Sequence, residues 1–156
     1  MKRERVEWML AQYGNDMFRL AVSWLANRHD AEDVCQDVFL KILNAKREPL
    51  PGKEKAWLLT CTANACKNHL KSFWKNNVAE LDEEFPFFDE IDRSLYDAVM
   101  KLSPKYRAVI HLYYYEGYDQ NEIAEILRLS RSAVQTRMSR ARELLKKELV
   151  DYEETL

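Results

Sequence analysis

Apolar residues recur at helical spacing along most of this 156-residue chain. Val134, Met138, Ala141 and Leu145 lie three or four positions apart, so they are expected to form one buried face of a helix. Only three glycines and four prolines are present, which favours helices over turn-rich β structure. The chain is therefore predicted to be all-α. Further helices are expected over residues 30–45, 56–76, 95–102 and 105–116, and one helix or two over residues 6–25, where Gly14-Asn15 breaks the pattern.

The stretch from Asp119 to Lys147 predicts a short helix, a tight turn and a second helix. Asp119 and Glu122 have the spacing of a capping box, and Ser130 is placed to cap the second helix. Upstream, Ser103 and the proline that follows it indicate a helix start, and Gly117 indicates its end. The outward face of the last helix would carry Arg131, Ser132, Gln135, Thr136, Ser139, Arg140 and Arg142.

These outward side chains suit a helix-turn-helix that binds DNA. Arginine bonds phosphates or base edges, glutamine can pair with adenine, and serine and threonine bond either. An arginine-rich face can also be merely solvated. Acidic residues are absent from Ser130 to Arg142, and the caps, the turn and the apolar stripe agree with one motif. DNA binding is therefore the favoured interpretation.

The N-terminal half offers two further polar faces. The helix expected over residues 30–45, capped by Asp30, shows an acidic face that on its own would simply be solvated: Asp30, Glu32, Asp33, Gln36 and Asp37. The helix over 56–76 has amide, hydroxyl and lysine groups beside Trp74, a combination that suits a single nucleic acid strand. That stripe consists of Thr60, Asn64, Lys67, Asn68, Lys71 and Lys75. Trp74 could equally complete the core. An irregular basic loop, 44–55, precedes this helix.

Charge divides the chain into two basic blocks. Residues 1–75 hold 13 Lys and Arg against 9 Asp and Glu, and residues 93–150 hold 11 against 7. Between them, residues 76–92 hold 7 acidic residues and no Lys or Arg. The distribution matters more than the net charge of −2. It predicts a helical domain over 1–76, an acidic linker over 77–92 and a second helical domain, the helix-turn-helix, over 93–156.

Composition argues against several other classes of protein. Cys35, Cys61 and Cys66 lack paired CxxC spacing and are expected to be buried thiols, with no metal site. The histidines are scattered, and we find no nucleophile–base set or phosphate loop, so neither enzymatic activity nor a cofactor is expected. No apolar run reaches the ~20 residues of a membrane span, so a cytoplasmic protein without membrane insertion is expected.

Three segments in order match a known family. DAEDVCQDVF (30–39), AWLLTCTANACKNHL (56–70) and the stretch 102–149 resemble the extracytoplasmic-function (ECF) group of bacterial sigma-70 family sigma factors, over nearly the whole chain. The resemblance implies a promoter-specificity subunit of RNA polymerase. Its partners would be core polymerase at the β′ clamp and β flap, promoter DNA, double-stranded at −35 and single-stranded at −10, and an anti-sigma factor.

The resemblance also implies residue roles. Asp30, Glu32, Asp33, Gln36 and Asp37 would face the clamp. Loop 44–55 would help to accept a flipped −10 base, with contacts from Asn64, Lys67, Asn68, Lys71, Trp74 and Lys75. The −35 element would be bound by Arg131, Ser132, Gln135, Thr136, Ser139 and Arg140. Three features depart from the family: Arg128 stands where glycine is usual in the turn, Pro49 to Gly52 form an uncommon loop sequence, and Ser139 is small where some members have a bulky residue.

Two other functions compete with this interpretation. A stand-alone helix-turn-helix regulator would bind DNA tightly without polymerase and usually as a dimer, since two half-sites require symmetry. A helical interaction protein without DNA contacts would tolerate charge reversal at Arg140 and Lys71.

Overall fold

The protein is described by a computed structural model that covers residues 1–74 and 93–155, with side chains at 1–71 and 95–149. Within these ranges the regular structure is helical throughout, as predicted. The helices are α1 (Arg3–Leu25), α2 (Arg28–Leu43), α3 (Glu54–Trp74), α4 (Arg93–Met100), α5 (Pro104–Ile110), α6 (Gln120–Leu127) and α7 (Arg131–Thr155), and a π-helical turn (His111–Tyr115) extends α5. Helices α1–α3 form a first bundle and α4–α7 a second.

The first helix is continuous where the sequence predicts a break at Gly14-Asn15. Glycine in a helix costs about 1 kcal/mol relative to alanine, but packing outweighs this preference here. Met9 and Met17, on either side of Gly14, are both fully buried, and they keep one apolar stripe in register across it. Of the one helix or two that the pattern allows over residues 6–25, the structure has one.

The start of α2 also differs from the prediction. Asn27, rather than Asp30, is the N-cap: its side chain accepts a hydrogen bond of 2.9 Å from the backbone N–H of Asp30. Asp30 lies in the first turn, where a carboxylate is favoured by the helix dipole. Its side chain lies 3.5 Å from Nε2 of His69 on α3, so it joins α2 to α3.

The second bundle follows the predicted turns closely. Asp119 and Glu122 form the predicted capping box, with bonds of 2.9 and 3.1 Å, and Ser130 accepts from the N–H of Ala133 at 3.1 Å. Gly117 adopts the left-handed conformation expected at a helix end. One detail was not predicted: the helix after Pro104 changes at His111 into a π turn, a form often found at functional sites.

The apolar face predicted for the last helix is confirmed. Val134, Met138 and Ala141 are completely buried, and Leu145 packs half-buried against the same core. The domain boundaries proposed from charge stay a prediction, and the linker 77–92 lies outside the described residues.

The bundles contact each other through Arg107, which is 6 % exposed. Its guanidinium donates to the carbonyl oxygens of Ser23 and Trp24, both at 2.7 Å, and to that of Leu102 at 2.5 Å. Ser23 and Trp24 lie in the last turn of α1, where carbonyl groups lack partners within the helix. Arg107 of the second bundle therefore caps a helix of the first. Burial lowers the pKa of Arg107 to about 10, so it still carries its charge at neutral pH.

A partly buried ion pair lies in the same interface. Lys55 Nζ, at the start of α3, is 2.7 Å from a carboxylate oxygen of Glu116, whose other oxygen is 3.5 Å from Nε2 of His111. Burial alone would raise the pKa of Glu116, but the contacts from His111 and Lys55 lower it below its ordinary value of 4.5. Burial alone would lower the pKa of Lys55, yet Glu116 and Asp16 raise it. Burial and the charge of Glu116 raise the pKa of Asp16.

Replacing Arg128 with glycine is expected to stabilise the fold. Arg128 ends α6 at φ 54° and ψ 47°, a left-handed conformation that disfavours any residue with a Cβ atom by roughly 1–2 kcal/mol. Since glycine loses more backbone entropy, the expected net gain in the free energy of unfolding for Arg128→Gly is about 1 kcal/mol, measured by urea denaturation. Arg128→Ala keeps the Cβ atom and should show no such gain. An equal gain in stability for both variants would show that loss of the Arg128 charge, rather than loss of the Cβ atom, is the cause.

Acid is expected to weaken the fold through Glu116. Because its folded pKa is depressed, its contribution to stability is complete above pH 4.5 and is lost as the pH falls through the folded value. Asp16, with a raised pKa, acts in the opposite sense. The difference in free energy of unfolding between the wild type and Glu116→Gln should therefore shrink between about pH 5 and about pH 3.

The matched control is Glu148→Gln, which removes a half-exposed carboxylate 3.1 Å from the exposed Lys101. Its difference from the wild type should stay near zero, because exposed pairs contribute little. If the difference in free energy of unfolding between the wild type and Glu116→Gln did not change between about pH 5 and about pH 3, Glu116 would not be the group responsible.

Candidate nucleic-acid interface

Helix α7 presents the predicted polar face to solvent. The residues on it are all exposed: Arg131, Ser132, Gln135, Thr136, Ser139 and Arg140. Val134, Met138 and Ala141 hold the opposite side of the helix in the core. The packing therefore leaves this face of α7 open to solvent. A helix face presented in this way can enter a groove such as the major groove of DNA.

Two further arginines of α7 differ from the residues of this face in their surroundings. Arg142 donates from Nε to the Tyr114 hydroxyl at 3.0 Å and lies 5.4 Å above the Tyr113 ring. Arg137 is half-buried, and burial lowers its pKa. Arg142 therefore braces α7 against the π turn, a role distinct from that of the exposed face.

The polar stripe of α3 is only partly available. Asn68 and Lys71 are exposed, and half-buried Asn64 lines a cavity of about 260 Å³ between α2 and α3, together with Trp57 and Cys61. Trp74 is the last residue of α3, and nothing is described of its side chain. Lys75 lies outside the described residues.

Lys67, in the middle of this stripe, contacts the second bundle. Its Nζ donates to the carbonyl oxygen of Leu127, the last residue of α6, at 2.7 Å. Burial and then the charges of Arg137 and Arg128 lower the pKa of Lys67. The structure thus brings cations of both bundles to one place, although the sequence predicts separate surfaces for them.

The loop before α3 is held by Arg5. Its Nη1 lies 2.6 Å from a carboxylate oxygen of Glu48, and its Nη2 donates to the Pro49 carbonyl at 3.0 Å. Glu54 lies 3.9 Å away. Arg5 therefore fixes the loop from α1. No sequence pattern indicates this role, because more than forty residues separate Arg5 from the loop.

A second cavity, of about 330 Å³, lies between this loop and α6. Leu50 of the loop and Trp57 and Thr60 of α3 line one side of it. The other side includes Glu122 and Glu125 of α6. Helix α6, the first helix of the helix-turn-helix, thus places two carboxylates beside the loop.

The acidic face of α2 is largely exposed, as predicted. Gln36 and Asp37 are exposed, and so are Glu32 and Asp33, although these two lie 3.4 Å and 3.6 Å from basic residues one turn earlier. Asp30 is the exception, since it is half-buried against α3. The outward acidic surface therefore consists of four of the five predicted residues.

The cysteines agree with the prediction of unpaired thiols in apolar surroundings. All three are free; Cys66 is buried, and Cys35 and Cys61 are half-buried. Burial raises the pKa of Cys35 to about 12 and that of Cys66 well above its ordinary value. Among the described residues no His, Cys, Asp and Glu cluster could hold a metal ion. None of the helices described is both long and apolar enough to cross a membrane.

Known proteins share both bundles in the same order. The family model for sigma-70 region 2 matches residues 9–75, and that for sigma-70, region 4 matches residues 92–145. The ECF RNA polymerase sigma factor SigW of Bacillus subtilis is 28 % identical over 160 residues, covering 89 % of this chain and 86 % of the relative.

The ECF RNA polymerase sigma factor SigE of Mycolicibacterium smegmatis is 26 % identical over 157 residues, covering 92 % of this chain but 61 % of the relative. The solved structure of CnrH in complex with the cytosolic domain of CnrY is also similar. Its TM-score is 0.68 at 26 % identity, covering 97 % of this chain and 90 % of that one. With both sigma-70 regions present in order, the chain belongs to the extracytoplasmic-function group of the sigma-70 family of sigma factors.

Proposed function

We propose that this protein directs core RNA polymerase to promoters by binding the −35 element with its second bundle and the melted −10 strand with its first. The observation that carries the proposal is the pair of sigma-70 regions, each with a polar face on the helix that would meet DNA. As an initiation factor it would lack catalysis of its own, require no cofactor and act in the cytoplasm, where polymerase meets the promoter.

The −35 element would be bound in the major groove by α7. Gln135, Thr136, Ser139 and Arg140 would reach base edges, and Arg131 and Ser132 would contact phosphates at the start of the helix. Their exposure on one side of a helix whose other side is buried supports this assignment, because register on DNA requires a rigidly held face.

The melted −10 strand would bind along α3. The cavity lined by Asn64 and mostly apolar side chains has the volume to hold an unstacked base, and Asn68 and Lys71 would contact the adjoining backbone. Lys67, Trp74 and Lys75 extend the same proposed surface. Arg5 would act as a positioning residue, since it holds the loop beside this surface.

The acidic face of α2 would bind the β′ clamp of polymerase. Glu32, Asp33, Gln36 and Asp37 present four adjacent polar groups, whereas Asp30 also supports the contact between α2 and α3. The second bundle would contact the β flap. Polymerase would thereby align two weak DNA-binding surfaces so that their contacts act together.

An anti-sigma factor is proposed as the regulatory partner. The similar structure of CnrH contains the cytosolic domain of CnrY, and the similarity covers nearly the whole of this chain. Tyr114 and Tyr115 are exposed beside the groove between α4 and α7, so they are available to such a partner.

The proposal predicts polymerase-dependent start sites. Run-off transcription from genomic fragments, with and without the protein, should give new starts only with it, preceded by two sequence elements at fixed spacing. Tight, dimeric DNA binding without polymerase, and no new starts, would instead indicate a stand-alone regulator. Absence of new starts together with no measurable affinity for the β′ clamp would refute the proposal.

Arg140→Ala is expected to weaken binding at −35 by roughly 1–3 kcal/mol, because a base-edge contact is lost. Affinity would be measured for the polymerase holoenzyme on the promoter found by run-off and on a copy with a scrambled −35 element. Arg131→Ala is the matched control, since loss of a phosphate contact should weaken both DNAs equally. If Arg140→Ala weakened binding equally on both DNAs, Arg140 would be a contact to the DNA phosphates and not to a base edge.

A further inference from the structure

Leu50 is the most exposed large apolar side chain among the described residues, at 73 %. It belongs to the loop between α2 and α3, and although it borders the cavity beside α6, most of its surface meets solvent. A single exposed leucine is common on protein surfaces and requires no function. The backbone, the charges and the cavities around Leu50 set it apart from an ordinary surface leucine.

The backbone at Leu50 is held in a fixed turn. The N–H of Lys53 donates to the Leu50 carbonyl at 2.9 Å across a proline and Gly52. Gly52 has φ 83°, and a proline followed by a glycine of positive φ is the pattern of a type II turn. From α1, Arg5 holds the carbonyl of Pro49, the residue before the leucine. The leucine is therefore presented rigidly, and little chain entropy would be lost when it meets a partner.

The same loop is basic where it meets solvent. Lys46, Arg47 and Lys53 are all exposed, and all lie close to Leu50 in the chain. Their charges favour a polyanion, whereas an exposed leucine favours an apolar surface. Nucleic acid offers both, since charged phosphates flank the apolar faces of its bases. The loop thus matches the edge of an opened duplex in charge and in polarity.

The proposed base cavity lies beside Leu50. Trp57 of α3 lines both the cavity that Leu50 borders and the cavity that Asn64 borders. The two cavities are therefore neighbours along α3, with the indole ring common to both. A base that left the duplex next to Leu50 would find a site within reach.

We infer that Leu50 is a wedge that takes the place of the unstacked base during promoter opening. This inference rests on the function proposed above for α3. The base would move into the cavity lined by Asn64, and the leucine side chain would cover the face of the neighbouring base pair that this movement exposes. Because the contact exists only once the base has left, it stabilises the opened promoter and not the duplex.

A leucine wedge is distinct from base recognition. The side chain of leucine has no hydrogen-bond donor or acceptor, so Leu50 cannot read the hydrogen-bonding pattern of a base edge. It would assist opening at any sequence, while the choice of base would depend on polar groups such as Asn64. Opening and recognition therefore belong to different side chains.

The test compares two replacements of similar size in the polymerase holoenzyme. Leu50→Met keeps an apolar side chain, whereas Leu50→Asn removes the apolar surface. Run-off yield is measured at limiting holoenzyme on the promoter found with the wild type, as a duplex and as a copy whose −10 segment is mismatched and so already open. Permanganate reactivity of unpaired thymines reports opening of the duplex.

Leu50→Asn should lower the run-off yield and the permanganate signal on the duplex about tenfold, the effect expected from burying most of one leucine side chain. On the mismatched copy its yield should lie within about twofold of the wild type, because the base has already left the stack. Leu50→Met should match the wild type on both templates.

Leu144→Ala is the matched control, because Leu144 is an exposed leucine on α7, in the other bundle. Any effect of this variant on −35 or polymerase binding would change both templates alike, so its ratio of duplex to mismatched yield should equal that of the wild type. Circular dichroism checks that every variant is helical, and replacing a residue as exposed as Leu50 should cost little stability.

Equal losses for Leu50→Asn on both templates would overturn the wedge, since Leu50 would then act after opening. No loss on either template would overturn it as well. If the wild type gave no polymerase-dependent start on any fragment, the proposed function itself would fail, and the wedge with it. Failure of the wedge alone and failure of the proposed function are therefore distinguishable.

Discussion

The arrangement of the two bundles depends on one buried guanidinium. Arg107 takes its charge out of water, which is unfavourable unless its three nitrogens find acceptors. Three carbonyl oxygens meet this requirement, and two of them belong to the last turn of α1. The interface is consequently held by a side chain of one bundle and the backbone of the other, so a substitution of Ser23 or Trp24 leaves those acceptors in place.

Basic side chains meet two kinds of negative partner in this molecule. The proposed partners of Arg131, Arg140 and Lys71 are the phosphates and bases of DNA. Arg107 and Lys67 instead contact the ends of helices, whose carbonyl groups present partial negative charge. Helix ends and nucleic acid both attract cationic side chains. A lysine on α3 can therefore bond to a helix end of the protein in one arrangement and to nucleic acid in another.

The sequence predicts the local features of this fold well. The capping box at Asp119, the cap at Ser130 and the buried stripe from Val134 to Ala141 depend on residues a few positions apart, and all are confirmed. The exposed face of α7 follows from that stripe by geometry. One local prediction was wrong, the cap at Asp30, because Asn27 caps the helix instead. At Gly14 the sequence left one helix or two open, and packing favours one.

Contacts between distant residues could not be predicted in this way. Lys67 and Leu127 are separated by 60 positions, and Arg107 and Ser23 by 84. No period or motif relates such residues, because their proximity depends on how the completed bundles pack. Lys67 therefore looks like a simple strand-binding lysine in the sequence. Only the fold shows that the same atom has a second partner.

Both sides of the contact at Arg107 belong to one polypeptide, and this has a consequence for the cell. An association between separate molecules strengthens as their concentration rises, whereas the local concentration of a tethered partner is set by the connecting chain alone. The fraction of molecules with the bundles joined is then the same at ten copies per cell or at ten thousand. For molecules that are not bound to a partner, a higher copy number therefore leaves the share with joined bundles unchanged.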